Sequence, residues 1–477
     1  MRPLHFVTGF STPLIASVIS LSAFAASPSS SEIIERLERL EREQAQLKQQ
    51  LQSRDTRISE LEKSAAPDAI NDTDTASVYG AFIPGRGFRI ANTDVGTVEF
   101  SAYTYLRYLN QDGLDDNYRD HLGTVKAIDE RNDLQVQKLV LYFKGWVYDP
   151  ALRYVFYTWT SNTSQGDGAQ VVVAGYLTYH VSDALNFSGG ISGLPSTRSL
   201  EGQWPNFLKV DYRTIADEYF RGSYTTGFFV NGALADGALQ YKAMIGNNLS
   251  QLGVNGPQMD DTFDTVALAL WWMPTTGEYG PNQGFGDFEM HDRLATRVGV
   301  HYTHSTEDKQ SQPGKEDPEN SQIRLSDGAA IFDQNIFGAG VQINKARYQM
   351  STLDAGLKFR GFALEGEYFW RWVDKFDVTG ALPFDDLYDH GYQLQASMMI
   401  MPKTLQIYLS GSQINGEYGD PSDVALGVNW FPIRDNRKLR VNGELLQLND
   451  SPVGYSSVPF AVGGDGLVMV SHLELAF

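Results

Sequence analysis

Residues Gln349 to Val373 read QMSTLDAGLKFRGFALEGEYFWRWV, and the fold turns on how that stretch alternates. Ser351, Leu353, Ala355, Leu357 and Phe359 share one face, opposite Thr352, Asp354, Lys358 and Arg360. Past Gly361 the rhythm resumes, with Phe362, Leu364, Tyr368, Trp370 and Trp372 opposed to Glu365, Glu367 and Arg371. Successive side chains of a strand point to opposite faces, so a period of two with glycine between the halves predicts a hairpin, apolar on one side and densely charged on the other. In a water-soluble sandwich the charged side looks at solvent. In a membrane barrel the apolar side meets lipid and the charged side meets a wet interior.

The same rhythm recurs outward in both directions. Candidate strands fall at 97–110, 134–147, 151–161, 169–181, 184–193, 223–232, 238–247, 263–273, 293–304, 348–359, 362–373, 391–401, 404–414, 423–431, 438–448 and 466–477, an even set of sixteen. Connections alternate too. Tight turns at Tyr148-Asp149-Pro150, Ser182-Asp183, Gly361 and Pro402-Lys403 are interleaved with long loops at 111–133, 194–222, 248–262, 305–347, 374–390 and 449–465. One short rim and one long rim is the asymmetry of bacterial outer-membrane barrels. The 274–292 connection breaks it, being long where a short turn is expected. The last strand places Leu467, Met469, Leu473, Leu475 and Phe477 on one face, and such an ending on Phe477 resembles the insertion signal of outer-membrane barrels. Closing first strand on last leaves no edge, which is how a sheet can sit in lipid with every backbone group bonded.

Composition agrees. The 45 glycines, 24 tyrosines and 26 phenylalanines suit turn-rich β structure, and the formal charge of −20 excludes a basic nucleic-acid binder. With no cysteine among 477 residues, disulfide scaffolds, iron–sulfur clusters and thiol nucleophiles are excluded together. His301 and His304 are an odd number of residues apart on a predicted strand, so they do not share a face and predict no metal site. No local pattern of serine, histidine and orienting carboxylate predicts an enzyme, and no cofactor is expected.

Ahead of the barrel, Met1 to Ala26 carries Arg2, an apolar stretch from Leu14 to Phe24 and the small-x-small run Ala23-Phe24-Ala25, which predicts a cleaved export signal over 1–26. Residues 31–64 then set Ile33, Leu40, Leu47, Arg54 and Leu61 at position a and Leu37, Gln44, Leu51 and Ile58 at position d. That seam predicts a self-associating periplasmic coiled coil, a candidate for peptidoglycan contact. Residues 65–96 read as linker and lead-in, and 97–477 as the barrel.

Phe143-Lys144-Gly145, Asp149-Pro150-x-Leu152-x-Tyr154, Gly190-x-x-Gly193-Leu194-Pro195, Gly232, Gly237 and Leu239-x-Tyr241-x-x-Met244-Ile245-Gly246-Asn247 follow one another in an order that resembles the phosphate-selective porin O and P family. The resemblance implies a homotrimer of sixteen-stranded barrels in outer-membrane lipid, each an anion-preferring pore lined by arginines and lysines. In porins of this size the third long loop, here 194–222, folds inward to narrow the lumen. Inward-facing bases are expected at Arg107, Lys138, Lys144, Lys242, Arg297, Lys358, Arg360, Arg371 and Arg440, against Glu99, Asp354, Glu365, Glu367, Glu444 and Glu474. Basic groups around a narrow passage concentrate anions. Arg198, Arg213 and Arg221 of the loop, with Lys138, Lys144, Arg360 and Arg371 of the wall, are therefore the expected solute contacts. The expected function is passive diffusion of small hydrophilic, preferentially anionic solutes. A general or sugar/dicarboxylate porin and a structural tether between outer membrane and cell wall are the competing readings.

Overall fold

The structure is a computed structural model that describes residues 81–83, 87–161, 170–202, 204–250, 262–309, 323–433, 437–454 and 458–477. The expected export signal and the 31–64 coiled coil lie outside the described residues.

Sixteen strands form one closed antiparallel barrel. In chain order they are β1 (Gly96–Leu114), β2 (Asn132–Val147), β3 (Asp149–Ser161), β4 (Gln170–Ser182), β5 (Leu185–Gly193), β6 (Tyr224–Leu234), β7 (Leu239–Gly246) and β8 (Thr265–Trp272). The second half comprises β9 (Ala295–Asp308), β10 (Gln342–Phe359), β11 (Phe362–Thr379), β12 (Asp386–Met401), β13 (Leu405–Asn415), β14 (Ser422–Trp430), β15 (Leu439–Asn449) and β16 (Gly466–Ala476). Each pairs with its predecessor, and β16 closes on β1 through Leu473↔Leu106, Glu474↔Tyr105 and Ala476↔Tyr103.

The sixteen expected strands are all present. The main difference is length: β10, β11 and β12 run several residues further toward the long loops than the alternation marked. There the inward positions become apolar too, as at Ile343, Tyr348, Met350, Val373 and Leu387, because loops pack on them inside the barrel end. A second addition is the strand Gly87–Thr93, which pairs with β1 through Phe88↔Phe100 just beyond the end of β16. Phe477 is fastened there. Its backbone exchanges hydrogen bonds of 2.8 and 2.9 Å with Ala102, and its ring meets those of Phe88 and Phe100 edge-on.

Burial runs inside out. Leu353, Leu409 and Leu426 on the outer face are 45%, 53% and 57% exposed, whereas Asp354, Glu367 and Arg371 on the inner face are 2%, 4% and 1% exposed. Apolar groups facing outward around polar ones facing inward is the reverse of a soluble barrel and the pattern of one surrounded by lipid. Exposed aromatics sit toward both ends of the outer face: Phe359, Phe362, Trp272 and Trp430 at the short-turn end, and Trp372 and Tyr388 toward the loops. Phe362 and Trp372 are ten residues apart on β11. At the usual strand rise and tilt that is roughly 25 Å along the barrel axis, the height of a lipid-facing apolar band.

Candidate functional site

Among the described residues, two segments meet each other within the lumen, one entering from each rim. The first is the third long loop, which leaves β5 at Gly193 and returns at β6. It carries a 3₁₀ turn at Arg198–Leu200 and a short helix, α1 (Ile215–Phe220), whose six residues are all buried. Thr214 caps α1 by accepting from the Asp217 backbone N–H. The alternation of charged and aromatic residues that makes this stretch look irregular in sequence reflects its being packed on all sides.

Carboxylates on β9–β15 hold the loop. Arg198 donates to Glu365 at 3.0 Å from Nε, and its backbone N–H reaches Glu367 at 3.0 Å. Glu201 accepts from Arg297 of β9 at 2.7 and 2.9 Å, and Arg297 also holds Asp354 of β10 at 2.8 and 3.2 Å. His301 Nε2 stands 3.2 Å from Asp354 and 3.3 Å from Glu201. Further along, Lys209 faces Glu444 at 3.3 Å and Asp423 at 3.8 Å, Thr214 donates to Gln393, and the Ala216 backbone donates to Ser412. Tyr348 donates to the Phe220 carbonyl. Buried charges persist when paired and hydrogen-bonded, so the inner wall of β9–β15 reads as the loop's dock.

Burial pushes the Glu201 carboxyl up, but Arg297, the His301 hydrogen bond and Arg198 outweigh it and leave the group below its ordinary value. At Asp217 burial wins over Arg213 and Arg221, and the carboxyl stays above its ordinary value. Glu201, His301 and Asp354 bring ligand-type atoms within 4.8 Å of one another. Arg297 takes both carboxylates, so the charge of that cluster is balanced by a guanidinium, which argues for an ion-pair network rather than a metal centre.

The second entering segment is the 273–294 connection that breaks the short–long alternation. It turns into the barrel from the short-turn rim and meets the third loop. The Phe285 backbone donates to the Asn206 carbonyl at 2.8 Å, the rings of Phe207 and Phe285 lie 5.8 Å apart, and Arg198 sits over Phe285. Lys358 of β10 donates to the carbonyls of Tyr279 and Gly284, and Asp287 accepts from Gly361. Glycine is required at 284, where a Cβ would lie 2.3 Å from that of Asn206. The broken alternation was the sequence signal for this plug, and the strand reading alone gave it no role.

The expected solute contacts divide accordingly. Arg198 anchors the loop to the wall. Arg213 donates to Ser199 at 2.7 Å and lies 3.8 Å from Asp217, while Arg221 is paired with Glu218 at 2.6 Å. Lys138 of β2 holds Asp211 of the loop at 2.6 Å, and Arg371 of β11 is paired with Asp389 and Tyr219. Lys144 lies across from Glu99 in the β1–β2 register. Arg360 is not on the inner wall as expected. The strand ends at Phe359, so alternation stops before it; Arg360 takes a turn conformation at φ 49°, is exposed, and lies over the Phe359 ring. Loop and wall bases are thus brought together, but mostly as partners of carboxylates.

What the two segments leave is a crevice of ≈ 580 Å³ between the third loop and the inner wall of β2–β8. Tyr142, Tyr157, Tyr176, Trp204 and Tyr224 give it ring surfaces, and Thr178, Asn186, Asn231 and Gln240 give it neutral polar ones.

No protein-family description matches the chain and no curated protein is similar to it, so the porin O and P resemblance rests on the motifs quoted above. Among solved structures the chain is similar to the anion-selective porin from Comamonas acidovorans, at 12% identity over 80% of this chain and 100% of that one, with a TM-score of 0.49. It is also similar to Salmonella typhi OmpF in complex with daunomycin, at 13% identity over 82% and 100% with a TM-score of 0.48. OmpT of Vibrio cholerae matches at 10% identity over 81% and 99%, with a TM-score of 0.47.

Proposed function

We propose that the chain is a bacterial outer-membrane porin through which small hydrophilic solutes diffuse passively, along the side of the lumen that the third loop leaves uncovered. The observation that carries this reading is the closed sixteen-stranded ring with apolar side chains outward and a polar interior. A ring of that size is wide enough for an aqueous lumen, and an inward loop narrows it without replacing the wall.

Anion preference, the finer expectation, would have to come from bases with charge to spare. Arg198, Arg213, Arg221, Lys138 and Arg371 each face a carboxylate within 4.0 Å. Charged groups along the crevice itself balance, Arg153 and Lys242 against Asp183 and Glu201. Weak ion selectivity is therefore the reading we adopt, and phosphate specificity draws no support from this pairing. The homotrimer implied by the resemblance and the cell-wall contact of the 31–64 heptads belong to the same proposal; sedimentation in detergent, with and without residues 27–77, tests the association.

Single-channel recording of the purified protein in planar bilayers decides the main reading. Stepwise conductance with a reversal potential close to zero in a KCl gradient is expected. A strongly anion-selective reversal potential or block of chloride current by phosphate would restore the specific pore, and a membrane-inserted but silent barrel would favour the tether.

A further inference from the structure

We propose that the crevice beside the third loop binds polyhydroxylated ring solutes, that is sugars, by stacking them on aromatic faces and bonding their hydroxyls to neutral polar groups. This rests on the porin reading and names its solute class.

The lumen is chemically divided. Carboxylates and bases of β9–β15 are engaged with the third loop and with one another, so that side is packed. Across from it, inward positions of β2, β3 and β4 carry rings. Tyr142 and Tyr157 are register partners on β2 and β3, and their rings stack at 4.8 Å with only 6° between planes. Trp204 of the loop lies over Tyr142 at 5.9 Å and 17°, and Trp159 continues the row from Tyr157 at 5.5 Å and 16°. Four rings from two strands and one loop thus form one continuous stack, of which Tyr142, Tyr157 and Trp204 line the crevice. Tyr142, Trp159 and Trp204 remain only partly buried, so the row is not closed off as a core would be.

What surrounds the rings suits a sugar better than an anion. Thr178, Asn186, Asn231 and Gln240, on the consecutive strands β4 to β7 beside the rings, supply neutral polar groups of the kind hydroxyls bond, with Asn186 also bonded to His180 and the Asn231 carbonyl and Gln240 to the Gly237 carbonyl. Lys242 is drawn back to the Ser192 hydroxyl and the Gly193 carbonyl. Trp271 also lines the crevice, and its buried indole N–H has no hydrogen-bond partner among the described residues. The ≈ 580 Å³ volume falls within the roughly 300–1,000 Å³ of small-molecule pockets, room for a short oligosaccharide.

The test is block of potassium chloride current through the full-length protein by maltotriose, with succinate, phosphate and a polyethylene glycol of equal size run in parallel. Maltotriose is expected to interrupt the current at concentrations where the glycol does not. Trp204→Leu and Tyr142→Leu should each weaken that block roughly 2- to 10-fold, the range aromatic contacts contribute, whereas Phe228→Leu on the lipid-facing side should leave it unchanged. Tighter block by succinate or phosphate, or maltotriose block no better than the glycol, overturns the proposal while the porin reading stands. If the protein inserts without conducting, the porin reading fails by itself; calorimetric titration of the detergent-solubilised protein with maltotriose then decides the crevice, binding weakened roughly 2- to 10-fold in Trp204→Leu supporting it and no binding, or binding unchanged in that variant, overturning it.

Discussion

Replacing Arg297 by methionine should release the base of the third loop. The guanidinium bonds Glu201 of the loop and Asp354 of the wall through four contacts of 2.7–3.2 Å, and both partners are almost wholly buried. Without it, two carboxylates face each other, with Arg198 at 3.5 Å from Glu201 and the His301 ring beside both. Removing one member of a buried pair costs about 3–5 kcal/mol because the other charge is left uncompensated. At about 1.4 kcal/mol per tenfold, the docked-to-undocked ratio of the loop should fall roughly 10²- to 10³-fold or somewhat more. Single-channel traces of Arg297→Met should show added excursions to a larger conductance, with the folded barrel retained as judged by its resistance to sodium dodecyl sulfate before heating. Glu201→Gln with Asp354→Asn in the same chain removes the stranded charges and should bring the trace back toward wild type. An Arg297→Met channel indistinguishable from wild type would refute the view that this network docks the loop.

Other expectations are as concrete. Leu353→Arg, placing a charge on the lipid-facing side of β10, should destabilise insertion into phosphatidylcholine vesicles by about 2–4 kcal/mol if the residue sits near mid-membrane, read from the urea dependence of folding. Phe477→Ala removes ring contacts with Phe88 and Phe100 and should lower the yield of folded barrel in exported protein, read by the heat-induced gel shift. The depressed Glu201 carboxyl predicts a pH response of definite sign. Its stabilising contribution is in full above the ordinary 4.5 and is lost as pH falls through the lower folded value, so channel current should be steady from pH 8 down to 4.5 and gain large excursions only on further acidification. Large excursions that set in above pH 4.5 would exclude Glu201 as the latch.

The barrel was legible because a two-residue period over ten or more residues has few other meanings, and because the charged positions are spaced to share one face. Asp354, Glu365, Glu367 and Arg371 all landed inward as alternation demands. Alternation misleads at the strand ends: Arg360 lies one residue past the strand, and in the upper part of β10 the inward residues Ala346, Tyr348 and Met350 are apolar while Lys345, Arg347 and Gln349 alternate with them, since loops fill the barrel end there. The site was half legible. That 194–222 would enter the lumen followed from its place as third long loop and its mixed charges, but which wall it would lean on depends on pairings between residues more than a hundred positions apart, as in Arg198 with Glu365. The aromatic row was missed for the same reason. Tyr142, Tyr157 and Trp204 become neighbours only after register and loop path are known.

Because most of the ionic docking lies on one arc of the cylinder, with Lys138 and Asp211 the pair on the other side, structural upkeep and the lining of the crevice fall largely to different strands. Substitutions on β9–β15 should show up as failures of assembly with solute preference intact. Those on β2–β4 should alter the crevice lining while the barrel stays whole, so that the lining can change without redesigning the frame.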